Sequence, residues 1–338
     1  MAQTTASVDA ALARRNGDDL ATTCFELANA EHVSFAASSG RTLLIRQDAA
    51  IPHTGGCIWE TSYALALWAR AHLEPIARRA SKRGAPLRVL ELGAGCGFLG
   101  LALAHMGFEV VCSEQPGVLA NLVHNVLANE PRALGLPGAC IAEVLRWGDS
   151  EDIAALTGAP FNYVVGTDVV YIPELVQPLL QTLWQCATGE TAVLLCLQQR
   201  CVASHRLLLE QAGFYFARVE HEPLADSVEL VRDFATELDC ELLRLTQRRE
   251  VIDPGAAPSA AGQATGAAGA ARQPPSEKKE KKRQRHEEEG GPHTLQRVGS
   301  SGVGAQQGGA AAARDSRAPW RPDADADASH SERQQRRR

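Results

Sequence analysis

The sequence predicts an α/β fold, a doubly wound and mostly parallel sheet of seven strands, on two observations. Between residues 87 and 246, short runs rich in Val, Ile and Leu alternate with longer stretches of helical periodicity. That alternation is the pattern of β-α-β units, with helices on both faces of one sheet. The first of these strands, VLEL at 89–92, then runs into glycines at every second position before an apolar helix, VLELGAGCGFLGLALA. Strand, tight turn and helix in that order bring backbone close to a ligand at the end of a strand.

The elements follow in chain order. Residues 1–29 read as an N-terminal extension. HVSFAASSGRTLLIRQDA reads as two short strands about Ser38-Ser39-Gly40, a β-hairpin ahead of the main domain. Residues 58–80 are helical, with Trp59, Tyr63 and Leu67 on one face and Pro75 as a stop or kink. Strands are expected at 87–92, 108–113, 139–145, 161–167, 190–197 and 238–246, with helices at 97–106, 116–129, 173–187 and 201–213. GFYFARVEHEP adds a short strand before the last one, which leaves room for an antiparallel pair there. After Asp253-Pro254 the pattern gives way to an Ala/Gly/Pro-rich linker, the charge run EKKEKKRQRHEEE and a low-complexity end. Such composition buries too little apolar surface to offset its ordering entropy. The expected organisation is thus an extension at 1–29, one domain at 30–250 and a disordered tail at 251–338. KKEKKRQR fits a nuclear address, an RNA-binding tail or a solvated charge run alike.

Charge narrows the partners. The first 250 residues carry a net charge of about −10 and the remainder about +4, so a nucleic-acid footprint on the folded part is not expected. Nine cysteines include no C-x-x-C pair, and Cys112, Cys140 and Cys196 sit in apolar runs. They read as reduced, buried thiols. His53, His105 and His124 have no metal-ligand spacing, so no metal is expected. No apolar stretch approaches the ~20 residues of a membrane span, and the N-terminus lacks the apolar core of a secretory signal. A cytoplasmic protein, present also in the nucleus and monomeric, is the expectation.

The ligand is read from the strand ends. A dinucleotide fingerprint requires G-x-G-x-x-G, but counted from Gly93 the sixth position is Phe98. What stands here is E-x-G-x-G-x-G, and the carboxylate of Glu91 beside the turn suits a cationic or zwitterionic ligand better than a phosphate. Glu114 closes the second strand, where an acid can accept both hydroxyls of a ribose. A Gly-rich turn and a ribose acid without phosphate chemistry describe S-adenosylmethionine.

Four segments carry a resemblance: VLELGAGCGFLGLALAHMGFEVVCSE, the upstream GGCIWETSYALALWA, RWGD at 146–149 and GTDVVYIPEL at 166–175. Together they resemble the family-16 protein-lysine methyltransferases, over roughly residues 30–247. The resemblance implies a class I methyltransferase fold, S-adenosylmethionine as cofactor and a lysine-bearing protein such as a chaperone or translation factor as substrate. It implies that Trp59 lies beside the cofactor, that Gly93, Ala94 and Gly95 line its methionine part and that Glu114 holds the ribose. It places Trp147 at the adenine and Thr167 at the end of the fourth strand, with Asp168 and Tyr171 facing the methyl group and the incoming lysine. Two positions depart from the family: Asn162 and Glu114 stand where Asp is usual.

These residue types suit the chemistry. Indoles such as Trp59 and Trp147 stack on adenine and attract a sulfonium, whereas Trp68 and Trp184 read as packing. Methyl transfer needs a neutral amine, and holding a lysine neutral at pH 7 costs roughly 4.6 kcal/mol, from ~3.4 pKa units at ~1.36 kcal/mol each. Desolvation near a cation supplies part of this. Asp168 and Tyr171 would orient the amine, with Asp168 placed to accept its proton. Two other readings stay open at this point: a methyltransferase of RNA or a small molecule, and a non-catalytic binding module on the same fold. A dehydrogenase is disfavoured by the register of the glycines.

Overall fold

Three strands, β1 (Thr5–Ser7), β2 (His32–Ala36) and β3 (Thr42–Arg46), form a small sheet in that order. The expected hairpin is present: β2 and β3 pair antiparallel, with buried Val33 opposite Ile45 and buried Phe35 opposite Leu43. The computed structural model describes residues 5–13, 20–51, 54–224 and 229–250, and the tail expected at 251–338 lies outside them. The periodicity of residues 1–29 did not announce β1, nor the helices α1 (Val8–Ala13) and α2 (Leu20–Ala28). These elements bury Val8, Leu12, Leu20 and Leu27 in the core.

The helical stretch near Pro75 is two helices, α3 (Glu60–His72) and α4 (Glu74–Lys82). Pro75 sits in the first turn of α4, where its missing N–H has no intrahelical role. The main sheet then follows: β4 (Arg88–Leu92), α5 (Phe98–His105), β5 (Glu109–Glu114), α6 (Pro116–Asn129), β6 (Ala139–Val144), α7 (Ser150–Leu156), β7 (Tyr163–Thr167), α8 (Pro173–Cys186), β8 (Ala192–Leu197), α9 (Val202–Tyr215), β9 (Phe216–Glu222), α10 (Glu229–Glu237) and β10 (Glu241–Arg248). Its order is β6-β5-β4-β7-β8-β10-β9. All pairs are parallel except those of β10, which runs antiparallel to both β8 and β9. Neither α7 nor α10 was legible in the sequence; α7 is a short helix whose N-cap Asp149 accepts from Glu151 N at 3.0 Å and Asp152 N at 3.1 Å.

The central strands are apolar on both faces because both faces are covered. Val89, Val165 and Leu194 join the core beneath α3 and α5, while their neighbours Leu90, Val164 and Val193 join the core beneath α8 and α9. The chain leaves β4 toward β5 on one side and returns to β7 on the other, so the switch in strand order lies at the C-terminal end of β4. At the opposite end, Asn162 accepts from Arg88 N at 2.8 Å and ties the starts of β4 and β7 together. It stands away from the site, as expected.

The small sheet is docked by a feature the sequence reading missed. Asn121, Asn125 and Asn129 fall four residues apart on α6 and present their amides to the edge of β3. Asn129 accepts from Leu44 N and donates to Leu44 O, both at 2.9 Å. Asn125 accepts from Arg46 N at 2.9 Å, donates to Arg46 O at 2.8 Å, and reaches Cys96 O in the Gly-rich turn at 2.9 Å. Asn121 accepts from Arg46 Nε at 2.9 Å. The amides thus take the place of a neighbouring strand and satisfy an edge that is covered by the helix.

Asn125→Ala leaves Arg46 N and Cys96 O without their amide partner, while Arg46 O keeps Asn121 Nδ2 at 3.2 Å. We expect a loss of about 2–3 kcal/mol in urea-monitored unfolding, from an unsatisfied-group cost of roughly 1–3 kcal/mol. A loss below about 1 kcal/mol would show that the ladder does not hold the small sheet.

Candidate active site

The site is built on the turn after β4. Gly93 and Gly95 have φ of +63° and +54°, a region that side chains disfavour. A Cβ on Gly93 would stand 3.2 Å from Val169 Cγ1 and 3.3 Å from Trp147 Cζ2. On Gly95 it would stand 3.4 Å from Gly55 O. The turn is therefore closed in by an indole, by the segment after β7 and by the 3-10 turn Thr54–Gly56. Ala94 N donates to Ser113 O at 3.0 Å, which ties the turn to β5.

Three carboxylates lie at the strand ends, and each has a different surrounding. Glu114, at the end of β5, accepts from Gly95 N at 3.0 Å and from Gln115 N at 2.9 Å, so its carboxylate is turned to the Gly-rich turn. Glu91 does not face a ligand, which corrects the expectation for it. Its side chain is 1% exposed and lies under α5, where Cys112 Sγ donates to it at 3.3 Å and Gly100 N–H donates as well. Burial pushes it up to about 8. A Cβ on Gly100 would come within 2.6 Å of Glu91 Oε2, so this acid belongs to the footing of the turn.

Asp168 follows β7 with φ of +50°, a strained value for a residue with a Cβ. Its Oδ1 accepts from Gln198 N at 2.9 Å, and its Oδ2 accepts from Arg200 Nη2 at 2.7 Å and Nε at 3.3 Å. Burial pushes the carboxyl above the usual range, and the Arg200 guanidinium acts against that. Arg200 Nη2 also lies 2.9 Å from Glu60 Oε1, and its Cζ lies 5.0 Å from the centre of the Trp59 ring. Trp59 caps the start of α3 and donates from Nε1 to Thr54 O at 2.9 Å. Thr54 Oγ1 in turn donates to the Tyr171 hydroxyl at 3.4 Å. Thr167, at the end of β7, bonds Ser62 Oγ of α3 at 2.9 Å.

The named residues fall into two adjoining groups. Gly93, Ala94, Gly95, Glu114 and Trp147 surround the turn, while Trp59, Thr167, Asp168 and Tyr171 surround the start of α3. Val169, next to Asp168, packs on Gly93, and Gly55, next to Thr54, packs on Gly95, so the groups share walls. Glu60, Ser62, Thr54 and Arg200 join them and were not singled out by the sequence reading. Arg200 had one available signal: it lies three residues past a strand end, on the ligand side of the sheet. Beside it opens a cavity of about 500 Å³ lined by Gln198, Gln199, Arg200, His205, Asp239 and Glu241. Trp68 is buried and stacks on His72, and Trp184 donates to Arg249 O at 2.9 Å, so both are packing residues. His53 lies outside the described residues, His105 is buried between Ser39 and Asn129, and His124 is exposed.

Known proteins resemble this chain in sequence. A family described as "Lysine methyltransferase" matches residues 37–213. Protein N-lysine methyltransferase METTL21A of Danio rerio is 31% identical over 155 residues, 46% of this chain and 69% of that protein. The protein of the same name from Mus musculus is 27% identical over 189 residues, 56% of this chain and 81% of that protein. EEF1A lysine methyltransferase 3 of Xenopus tropicalis is 31% identical over 114 residues, 33% of this chain and 47% of that protein.

The burial of Glu91 sets a pH dependence. Its pKa is about 8 when folded against an ordinary 4.5, so the folded state holds the proton more tightly. Its favourable contribution is present below the ordinary value and is lost as pH rises to about 8. Glu91→Gln keeps the shape and removes the titration. Across that window the wild type should lose on the order of 4–5 kcal/mol relative to the variant in urea unfolding. Parallel stability curves would mean that the acid is not buried as described.

Proposed function

This chain belongs to the lysine methyltransferase family, and from that premise we propose that its site moves a methyl group from S-adenosylmethionine to the ε-amine of a lysine in another protein. The residues present fit that cofactor. Gly93 and Gly95 let Trp147 and Gly55 close on the turn, which sets bare backbone beside an indole face, and the acid at the end of β5 accepts from Gly95 N. When bound, S-adenosylmethionine supplies an electrophilic methyl group on a sulfonium.

Glu114 would accept the ribose hydroxyls, for which a carboxylate has about four acceptor sites. Trp147, packed on Gly93, would give the adenine a face, and Gly93, Ala94 and Gly95 would line the amino-acid part. Trp59 and Thr167 would border the reacting end. The observation that carries the reading is the placement of Asp168 and Tyr171 on one loop past β7, beside Trp59. Glu60, Asp168 and Arg200 together hold two carboxylates against one guanidinium, and that surplus negative charge suits a cationic ammonium on arrival. Asp168 then orients the amine and takes its proton, and the Tyr171 hydroxyl fixes the approach.

We assign this chemistry to a domain at 30–250. The protein partner we propose is a translation factor or a chaperone; one relative named for EEF1A supports the first. A reducing compartment, cytoplasm and also nucleus, is supported by the free state of all nine cysteines, seven of them buried. Among the described residues, no helix is long and apolar enough to cross a membrane.

Labelled S-adenosylmethionine is incubated with the protein and a eukaryotic cell extract, with and without ribonuclease, and the product is hydrolysed. Label should appear as methyl-lysine in discrete protein bands. Asp168→Asn should lower it about 100-fold or more while leaving cofactor affinity within about threefold. Glu114→Ala should raise the cofactor Kd by about tenfold or more, ~1.4 kcal/mol. Label that disappears with ribonuclease would move the substrate to RNA, and binding without any label would favour a binding module.

A further inference from the structure

We infer that Arg200 is a positioning residue of this site, one that closes a ring of polar contacts holding Asp168 and Trp59 in fixed relation. The inference rests on the proposed lysine methyltransferase chemistry only for its effect on rate; the ring itself is a matter of geometry. From Tyr171 the hydroxyl contact leads to Thr54 at 3.4 Å, and the Thr54 carbonyl takes the Trp59 indole N–H at 2.9 Å. Glu60 follows Trp59 in the chain and meets Arg200 at 2.9 Å. Arg200 meets Asp168 at 2.7 Å, and Asp168 shares its loop with Tyr171. Three stretches far apart in sequence are thereby joined around the mouth of the site, with Arg200 the contact that closes the circuit.

The residue type suits the position. A guanidinium is a planar fork that meets two carboxylates through separate N–H groups while presenting its face to an indole; an ammonium is a point charge and cannot do all three. The side chain is 29% exposed, against 5% for its Asp168 partner, so its main consequence is for the carboxylate beneath it. Asp168 has a left-handed backbone at φ +50°, and such a conformation persists only where the surroundings over-determine it. Here they do: Asp168 N donates to Cys196 O at 3.0 Å, Gln198 N donates to its Oδ1, and Arg200 takes its Oδ2. Only the last of these links the loop to α3.

The groups facing Asp168 are Arg200 from the loop after β8, Glu60 from α3, Cys196 from β8 and Cys240 just before β10. Arg200 holds the carboxyl down, while Glu60 and burial push it up. Removing either partner therefore moves the Asp168 titration in opposite directions, although either removal opens the ring. That pair of signs reports the charges beside Asp168, and a loss of rate on either removal reports the ring.

The test follows the Asp168 carboxyl by ¹³C NMR across pH in the full chain, assigned by its disappearance in Asp168→Asn, alongside the methyl-lysine labelling assay. In Arg200→Gln the titration midpoint should rise by about one unit or more, a tenfold change in proton affinity. In Glu60→Gln it should fall. Labelling should drop about 30- to 100-fold in Arg200→Gln and drop also in Glu60→Gln, through kcat more than KM. Arg200→Lys should restore most of the midpoint but not the rate, and it serves as well if the Gln variant does not fold. An unmoved midpoint in Arg200→Gln, or a rate near that of the wild type in Arg200→Gln or Arg200→Lys, would overturn the inference. Midpoints that move as stated in a protein with no labelling activity would leave the ring standing and sink the proposed lysine methyltransferase chemistry.

Discussion

The turn after β4 must be reached from several sides at once, and the rest of the site depends on its being bare enough to allow this. Trp147 and Val169 press on Gly93, Gly55 presses on Gly95, and Leu122 Cδ1 would stand 2.6 Å from a Cβ on Gly97. Beneath the turn, Gly100 lets Glu91 and Cys112 come up against α5. Interiors pack too densely to absorb an added methyl group at such contacts. Any side chain here would push apart the 3-10 turn, the indole and the loop of Asp168. The shared walls that join the two halves of the site would then be lost.

Three carboxylates at neighbouring strand ends show how the same group is given different tasks by its surroundings. Glu91 is walled off by apolar side chains and a thiol, and burial drives it toward its neutral form. Glu114 is nearly as buried, yet it accepts from Gly95 N of the turn and from the adjoining Gln115 N. Asp168 is buried too, and there the pairing with Arg200 acts against the upward push of burial. All three are buried, and they differ in the partner within hydrogen-bond reach: a thiol for Glu91, backbone N–H groups for Glu114 and a guanidinium for Asp168.

The small N-terminal sheet extends the same logic to stability. Its edge lies along α6, where a helix surface would ordinarily leave strand N–H and C=O groups without partners. The asparagines at four-residue spacing supply both a donor and an acceptor at each step. Because Asn125 also reaches Cys96 O, the docking of this sheet is coupled to the Gly-rich turn.

How much of this could be read from the chain alone follows from the range of the interactions. Strand and helix alternation, the hairpin about Gly40, the break near Pro75 and the Gly-rich turn are local in sequence, and each was legible through periodicity or through a backbone preference. So was the strand end where the order reverses, the position at which ligands of this architecture bind. The E-x-G-x-G-x-G pattern alone could not say which way Glu91 points, since that depends on Cys112 and Gly100 arriving from other elements. The asparagine spacing on α6 was visible, but its meaning required the edge of β3. Arg200 lies 32 residues from Asp168 and 140 from Glu60, so their pairing exists only once β7, β8 and α3 have been brought together. The sequence by itself determined the alternation of the main sheet, the turn and the chemical types present; the tertiary structure decided which carboxylate is buried under a helix, which is tied to the turn and which is paired with a cation, because desolvation and ion pairing are set by neighbours that only folding supplies.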